Sequence, residues 1–585
     1  MSLLEKVSLC ITPNAYKEDV LYSVVPSDGS GDMNVVRATT ATRVNADGLI
    51  EVVPKNLVTY SEQFDNAKWI KQSSTIIENS TISPNGTLTA DLLYPTSSGN
   101  YRAVRQLNDT LIGEINLSVY LKAQNKSKAY IRLDDAKYAL FDLINGTIVG
   151  YNSIEIPTIE NVGNGWYRCS LNYNALSLTT NSFYLGIIDT SYPSVTANGT
   201  DGIYLWGAQT TNVFGATSYF PTTDRLNIPR LDYSGGGCPS ILVEPQRTNL
   251  VRYSQEFDNA SWTKQQVSVT ANTTISPSGL QDSDTIIEAS TSDLHRVISS
   301  GASTSNGIHT ASVFIKKGTR RYAILSIVQA LDSVFLCIDT DNFTISQISS
   351  TGAYVYSSSS IINLSNGWYK CSLTATITTG ALLSLALSNS PTPNAAAATY
   401  LGDNSYIIFW GAQLEAGSNS TSYIPTVASS VTRNADVISK TGISGLIGQT
   451  EGSIVCKFNF ENSNFSRYIF SLYKSGGFEL EHLSLFLLSN NSTLRFSFKN
   501  STETLNNDFT LISDGNNEFI VTYDSTETKF YLNKSLVGTL SGKTPPITNS
   551  LIIGARSNSS SFFSGMIDNI QLYKNVLTEL EISNI

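Results

Sequence analysis

One stretch of this chain is written twice. Asn56–Trp69 reads NLVTYSEQFDNAKW and Asn249–Trp262 reads NLVRYSQEFDNASW, a shift of 193 residues with no gap. NGWYRCSL at Asn164–Leu171 returns as NGWYKCSL at Asn366–Leu373, and IYLWGAQ at Ile203–Gln209 returns as IIFWGAQ at Ile407–Gln413. These later offsets are 202 and 204, so the second copy carries extra residues in its loops. All six Trp fall in these blocks, as the pairs Trp69/Trp262, Trp166/Trp368 and Trp206/Trp410. A spacing this long is no solenoid repeat. It is a tandem duplication of a whole domain.

A chain of 585 residues has room for several domains. Its 41% apolar content is enough for real cores, while charged residues make up only 15%. With 29 Tyr and 23 Phe, the composition favours sheet over helix. The formal net charge of -10, without a basic run, argues against nucleic-acid binding. No window is apolar enough to predict a membrane span. The opening MSLLEKVSLCITPNAYKEDV lacks a signal-peptide apolar region, so synthesis in a cytoplasm is expected. The six Cys show no metal-type spacing and read as buried, reduced thiols.

The expected order is a small N-terminal unit at 1–55, a first repeat at 56–223 and a Gly/Pro-rich connector at 224–249. A second repeat at 250–427, a linker at 428–450 and a last domain at 451–585 follow. The first 55 residues are too few to bury a core alone and must pack on something. In INLSVYLK, Ile115, Leu117, Val119 and Leu121 alternate with polar residues, the pattern of a half-buried antiparallel strand. Asn-Gly turns at Asn145-Gly146, Asn164-Gly165 and Asn366-Gly367 break each copy into short strands. The expected class is all-β: tandem antiparallel jelly-roll sandwiches in a multidomain chain. The connector's Ile228, Leu231, Ile241, Leu242 and Val243 are too apolar for free solvent, which makes it an ordered strap.

The last domain, through EFIVTYDSTETKFYLNKSLVG, LIIGAR and FFSGMIDNIQLYKNVLTELEI, resembles the laminin-G-like, concanavalin-like jelly rolls. The two repeats resemble carbohydrate-binding-module jelly rolls of tailed-bacteriophage structural proteins. TATRVNADGLIE (Thr40–Glu51) and NIPRLDYSGGGCPSILVEPQRTNL (Asn227–Leu250) carry that likeness most clearly, and TRNADVISKTGISGLIGQTEGSI (Thr432–Ile454) adds to it. In such virion proteins the first string runs almost directly into the second. Here repeat one lies between them, so 1–55 and 224–249 are expected to form one discontinuous unit. The resemblance implies a head or tail fibre or a capsid decoration on the virion surface, made in the host cytoplasm. Its implied partners are other virion proteins, docked through the N-terminal unit, further copies of itself, and host-surface glycans.

Candidate chemistry is thin. His295, His309 and His482 form no ligand pattern, and no Gly-x-Ser-x-Gly elbow occurs, so no catalytic residue is assigned. Asp65/Asp258 and Asp91/Asp284 are matched singles rather than the carboxylate pair a glycosidase needs. Sugar sites place aromatic rings beside polar side chains. Trp69 with Asn66, and Trp262 with Asn259, are therefore the glycan-binding candidates, although core packing is the plainer role for aromatics kept in both copies. The laminin-G-like resemblance also implies one structural calcium at a rim, with Asp568 as its ligand; the DTDN run at Asp339–Asn342 reads as turn carboxylates. Competing readings are a bacterial glycan-binding adhesin, which needs a secretion route, a polysaccharide depolymerase, which needs paired carboxylates in a cleft, and a pure spacer.

Overall fold

The computed structural model describes residues 3–53, 56–133, 137–152, 157–211, 216–300, 305–378, 380–460, 466–476, 481–490, 492–510, 515–541, 544–556, 558 and 560–585. The strands of the described chain pair antiparallel, and helix is limited to short turns. It divides into two compact units, one of 1–53 with 226–585 and one of 54–225.

The 54–225 unit is repeat one. Two long strands, Ala103–Ala123 and Trp166–Ile188, pair along most of their length. Ile203–Thr211, Leu88–Pro95 and Ser74–Ile82 extend the sheet at one end. Lys128–Leu133, Lys137–Asp142 and Thr147–Asn152 extend it at the other. The alternation in INLSVYLK is realised: Ile115, Leu117, Val119 and Leu121 enter one core with Trp69, Phe141, Cys169 and Leu185.

Repeat two has the same plan with the long strands cut. Arg296–Ser299 and Gly307–Lys316 replace the first, while Trp368–Ile377 and Leu382–Ser388 replace the second. Two six-stranded sheets result, facing each other across a core that includes Val313, Leu325, Leu336, Leu373 and Phe409.

The N-terminal segment and the expected linker differ from the sequence reading. Val7–Lys17 lies between Val20–Val25 and Gly565–Tyr573, and Met33–Val36 pairs with Val437–Thr441. Fourteen strands thus follow one hydrogen-bonded order, with residues 7–36 and 437–441 near its middle and the 452–541 strands on both sides. Residues 1–55 are therefore not a unit of their own, and 428–450 is not a linker. The reason is burial: Leu9, Ile11, Leu21, Met33, Val35 and Ile438 share a core with Phe458, Phe470 and Phe519. The strap joins it through Leu231, Ile241 and Val243.

Five charges pin these segments. Arg230 bonds Glu244 at 2.7 Å and also Asp436; Arg37 reaches Asp436 at 3.0 Å, and Arg433 reaches Glu244 at 2.6 Å. Ser422 adds its backbone N–H and its hydroxyl to Glu244 at 2.8 and 2.7 Å. Against the cost of burial, Arg433 and Arg230 hold Glu244 well below the usual carboxylate range, and Arg230 and Arg37 do the same for Asp436.

Candidate functional site

The twin stretch that defines the duplication is a plug, not a platform. Trp69 and Trp262 are each only 1% exposed. Their indole N–H groups donate to Tyr60 O at 2.9 Å and Tyr253 O at 3.0 Å, and each ring packs 4.8 Å from its neighbour, Phe64 or Phe257. A sugar cannot stack on a ring buried this way, so the glycan assignment of Trp69 and Trp262 is corrected. Asn66 and Asn259 close Asx turns, accepting the N–H of Lys68 and Ser261, both at 3.0 Å. Asp91 accepts the N–H groups of Phe64 and Asn79, and Asp284 those of Phe257 and Asn272. Burial pushes these two carboxyls up to about 7 and about 6, while the same N–H bonds pull down.

The other Trp pairs are also buried, but Trp206 and Trp410 do not share a face with the following Ala. Gly207 and Gly411 adopt φ of +61° and +62°, and the pairing slips beside them. The bulge turns Trp410 and Ile408 onto the outer sheet face beneath Tyr423, while Ala412 enters the inner core.

Asp568 sits on the Gly565–Tyr573 strand and accepts the Ser240 hydroxyl at 2.6 Å. Among the described residues, no three His, Cys, Asp or Glu side chains converge. Asp339 and Asp341 are engaged by Arg321 and Lys317. His295 is wedged between Gln266 O at 2.9 Å and Tyr400 O at 3.2 Å. Among the described residues, no helix is long and apolar enough to cross a membrane.

The most chemically distinctive surface lies where the copies differ. On the outer face of repeat one, Tyr138, Arg132, Tyr184 and Arg105 are register partners across four adjacent strands. The row continues to Ile70. The next row is Leu140, Tyr130, Gly186, Ala103 and Gln72. Arg132 lies over Tyr184 at 3.9 Å and Tyr101 at 4.6 Å; Arg105 lies over Tyr184 at 5.6 Å. Tyr192 stacks on Tyr138 at 4.2 Å and meets Tyr130 edge-on at 5.4 Å. The Tyr130 ring lies flat over Gly186, where a Cβ would stand 2.2 Å from it. Its hydroxyl is buried, with no hydrogen-bond partner among the described residues. Tyr101, Tyr138, Tyr184, Tyr192 and Arg105 remain half-exposed.

The same register in repeat two reads Phe335, Ser326, Ser384, Ile298 and Thr263, followed by Cys337, Ile324, Ala386, Arg296 and Gln265. Ala396 and Ala397 join that face in an apolar cluster with Ile324, Phe335 and Cys337. The repeat-one face is aromatic and meets Tyr192 of its own loop, where the repeat-two face is aliphatic and meets Ala396 and Ala397. A search for shared residues misses this row. Comparing KAYIRL at 128–133 with YAILSI at 322–327 for differences would have found its centre.

Among solved structures, the carbohydrate-binding module CBM40 of the Ruminococcus gnavus IT-sialidase, bound to alpha2,3 sialyllactose, is 19% identical and covers 23% of this chain and 83% of its own, at a TM-score of 0.21. A leech intramolecular trans-sialidase is 19% identical over 23% of each chain, with a TM-score of 0.21. A heptameric SAP-like pentraxin from Limulus polyphemus is 15% identical over 23% of this chain and 68% of its own, with a TM-score of 0.20. No curated protein matches the chain. Residues 453–583 match the Laminin_G_3 family of the Concanavalin A-like lectin/glucanases superfamily.

Proposed function

We propose that this protein is a non-catalytic, glycan-binding structural component of a phage virion, a head or tail fibre or capsid decoration that adheres to host or surface polysaccharide. The observation that carries the glycan reading is the Tyr138–Arg132–Tyr184–Arg105 row with Tyr192 stacked at its end. Half-exposed rings take the C–H faces of sugars, and the Arg105 guanidinium donates to hydroxyls. The lectin-type family matched by 453–583 points the same way. The virion reading rests on the Thr40–Glu51 and Asn227–Leu250 strings. A non-catalytic role fits the matched aspartates, which are occupied with backbone N–H groups. Attachment to other virion proteins, and association with further copies, would then involve the unit that contains residues 1–53, and weak single sites would gain from multivalency.

The test is binding of the full chain to a polysaccharide panel, beside Tyr138→Ala, Tyr192→Ala and the repeat-two control Phe335→Leu. Loss of binding in the first two, with retention in the control, is expected. Equal binding by all four proteins would overturn the assignment of the site. Absence of the chain from purified phage particles by mass spectrometry would overturn the virion reading.

A further inference from the structure

We propose that the repeat-one row selects acidic polysaccharide, meaning sugars whose rings carry carboxylates. This rests on the glycan reading and narrows it. Tyr and Arg alternate along the row, so each ring surface is flanked by a cation. Arg132 and Arg105 stand two strands apart, about 10 Å at the backbone. Arg132 is 3% exposed and packed against two tyrosine rings, so its charge acts from beneath the surface. Arg105 is the accessible cation. Among the described residues its one hydrogen bond goes to Ser182 Oγ at 3.3 Å, and it forms no ion pair. A guanidinium is a planar fork that matches a carboxylate with two parallel N–H donors.

The background sharpens the point. The chain carries a net charge of -10, which repels an acidic polymer at long range. Capture must then come from pairing at close range, where screening matters least. The equivalent repeat-two row, Phe335, Ser326, Ser384 and Ile298, has no cation. The acid-selecting feature therefore belongs to one copy, and the chain contains its own control.

The experiment is calorimetric titration of the full chain with uronate-containing oligosaccharides and with the same oligosaccharides after reduction of their carboxyls to alcohols. The acidic member should bind about tenfold to a hundredfold more tightly, the range of one charge-assisted hydrogen-bond pair. Arg105→Gln should erase the advantage, so that acidic and reduced sugars bind this variant equally; Arg105→Lys should keep part of it; Arg296→Gln, in repeat two, should change nothing. Equal binding of acidic and reduced sugars overturns the inference and leaves glycan binding standing. An acid preference that survives in Arg105→Gln also overturns it. Failure of both sugars across the panel overturns the glycan reading itself.

Discussion

Removing Glu244 should cost far more than its size suggests. The cluster holds three guanidinium groups and two carboxylates; the side chains of Arg37, Arg230 and Arg433 are 0%, 0% and 1% exposed, and those of Glu244 and Asp436 are 6% and 3%. Glu244→Ala leaves three buried cations facing one anion. Breaking a buried pair by deleting one partner costs about 3–5 kcal/mol. Arg433→Met instead loses the Arg433–Glu244 pair but leaves two cations and two anions, with Arg37–Asp436 and Arg230–Glu244 intact and no net charge stranded, and should cost about 1–3 kcal/mol. Deleting the smaller side chain should thus be the worse change. The assay is urea unfolding combined with hydrogen exchange read by peptide. In Glu244→Ala, Val437–Thr441 and Met33–Val36 should exchange faster, since Asp436 and Arg37 flank them. Ile115–Leu121, in the other unit, should not change. The charge count is refuted if Arg433→Met proves as damaging as Glu244→Ala. The pH dependence carries a second check. Glu244 and Asp436 have depressed folded pKa values, so their contribution is present above the usual carboxylate range and is lost as pH falls below it.

Three further outcomes follow from the packing. Trp69→Ala should destabilise the first repeat by about 3–5 kcal/mol in urea unfolding, and Trp262→Ala the second, with glycan binding retained under native conditions. Asp91 and Asp284 have raised folded pKa values, so the stability they confer is complete below pH 4 and is lost as pH rises through about 7 and about 6; calorimetric melting from pH 5 to 8 should show this loss, and Asp91→Asn should flatten the first repeat's share. Gly186→Ala should cost about 1–3 kcal/mol by driving a methyl into the Tyr130 ring, and Tyr130→Ile should restore stability by recreating the Ile324–Ala386 pair of the second copy.

Much of the fold was legible because it depends on local pattern. Alternation placed the strand of Ile115–Leu121, and the twin blocks placed the duplication. The N-terminal segment was harder. VSLCITPNAYK has the composition of a strand, but nothing local says that its partner is Gly565–Tyr573, more than 500 residues away. That pairing is decided by which core Leu9 and Ile11 complete. The single-residue bulge at Gly411 was equally invisible to a period-two count, and it moved Trp410 to the opposite face from Ala412.

The candidate site was missed for a different reason, and the reason carries forward. Duplication keeps what both copies need to fold, so identity between copies marks the plug formed by Phe64, Trp69 and Asp91 in one and by Phe257, Trp262 and Asp284 in the other. A ligand site imposes no such demand, because one copy suffices. Arg132 can become Ser326, and Tyr184 can become Ser384, without loss of a core, since both positions lie on the outer face. The freed face in the second copy is then sealed by Ala396 and Ala397. In a two-copy protein, the informative residues for function are therefore exposed aromatics and cations at positions where the copies disagree, on strands whose inward residues agree. Tyr138, Tyr184 and Arg105 meet that condition, whereas the shared tryptophans do not.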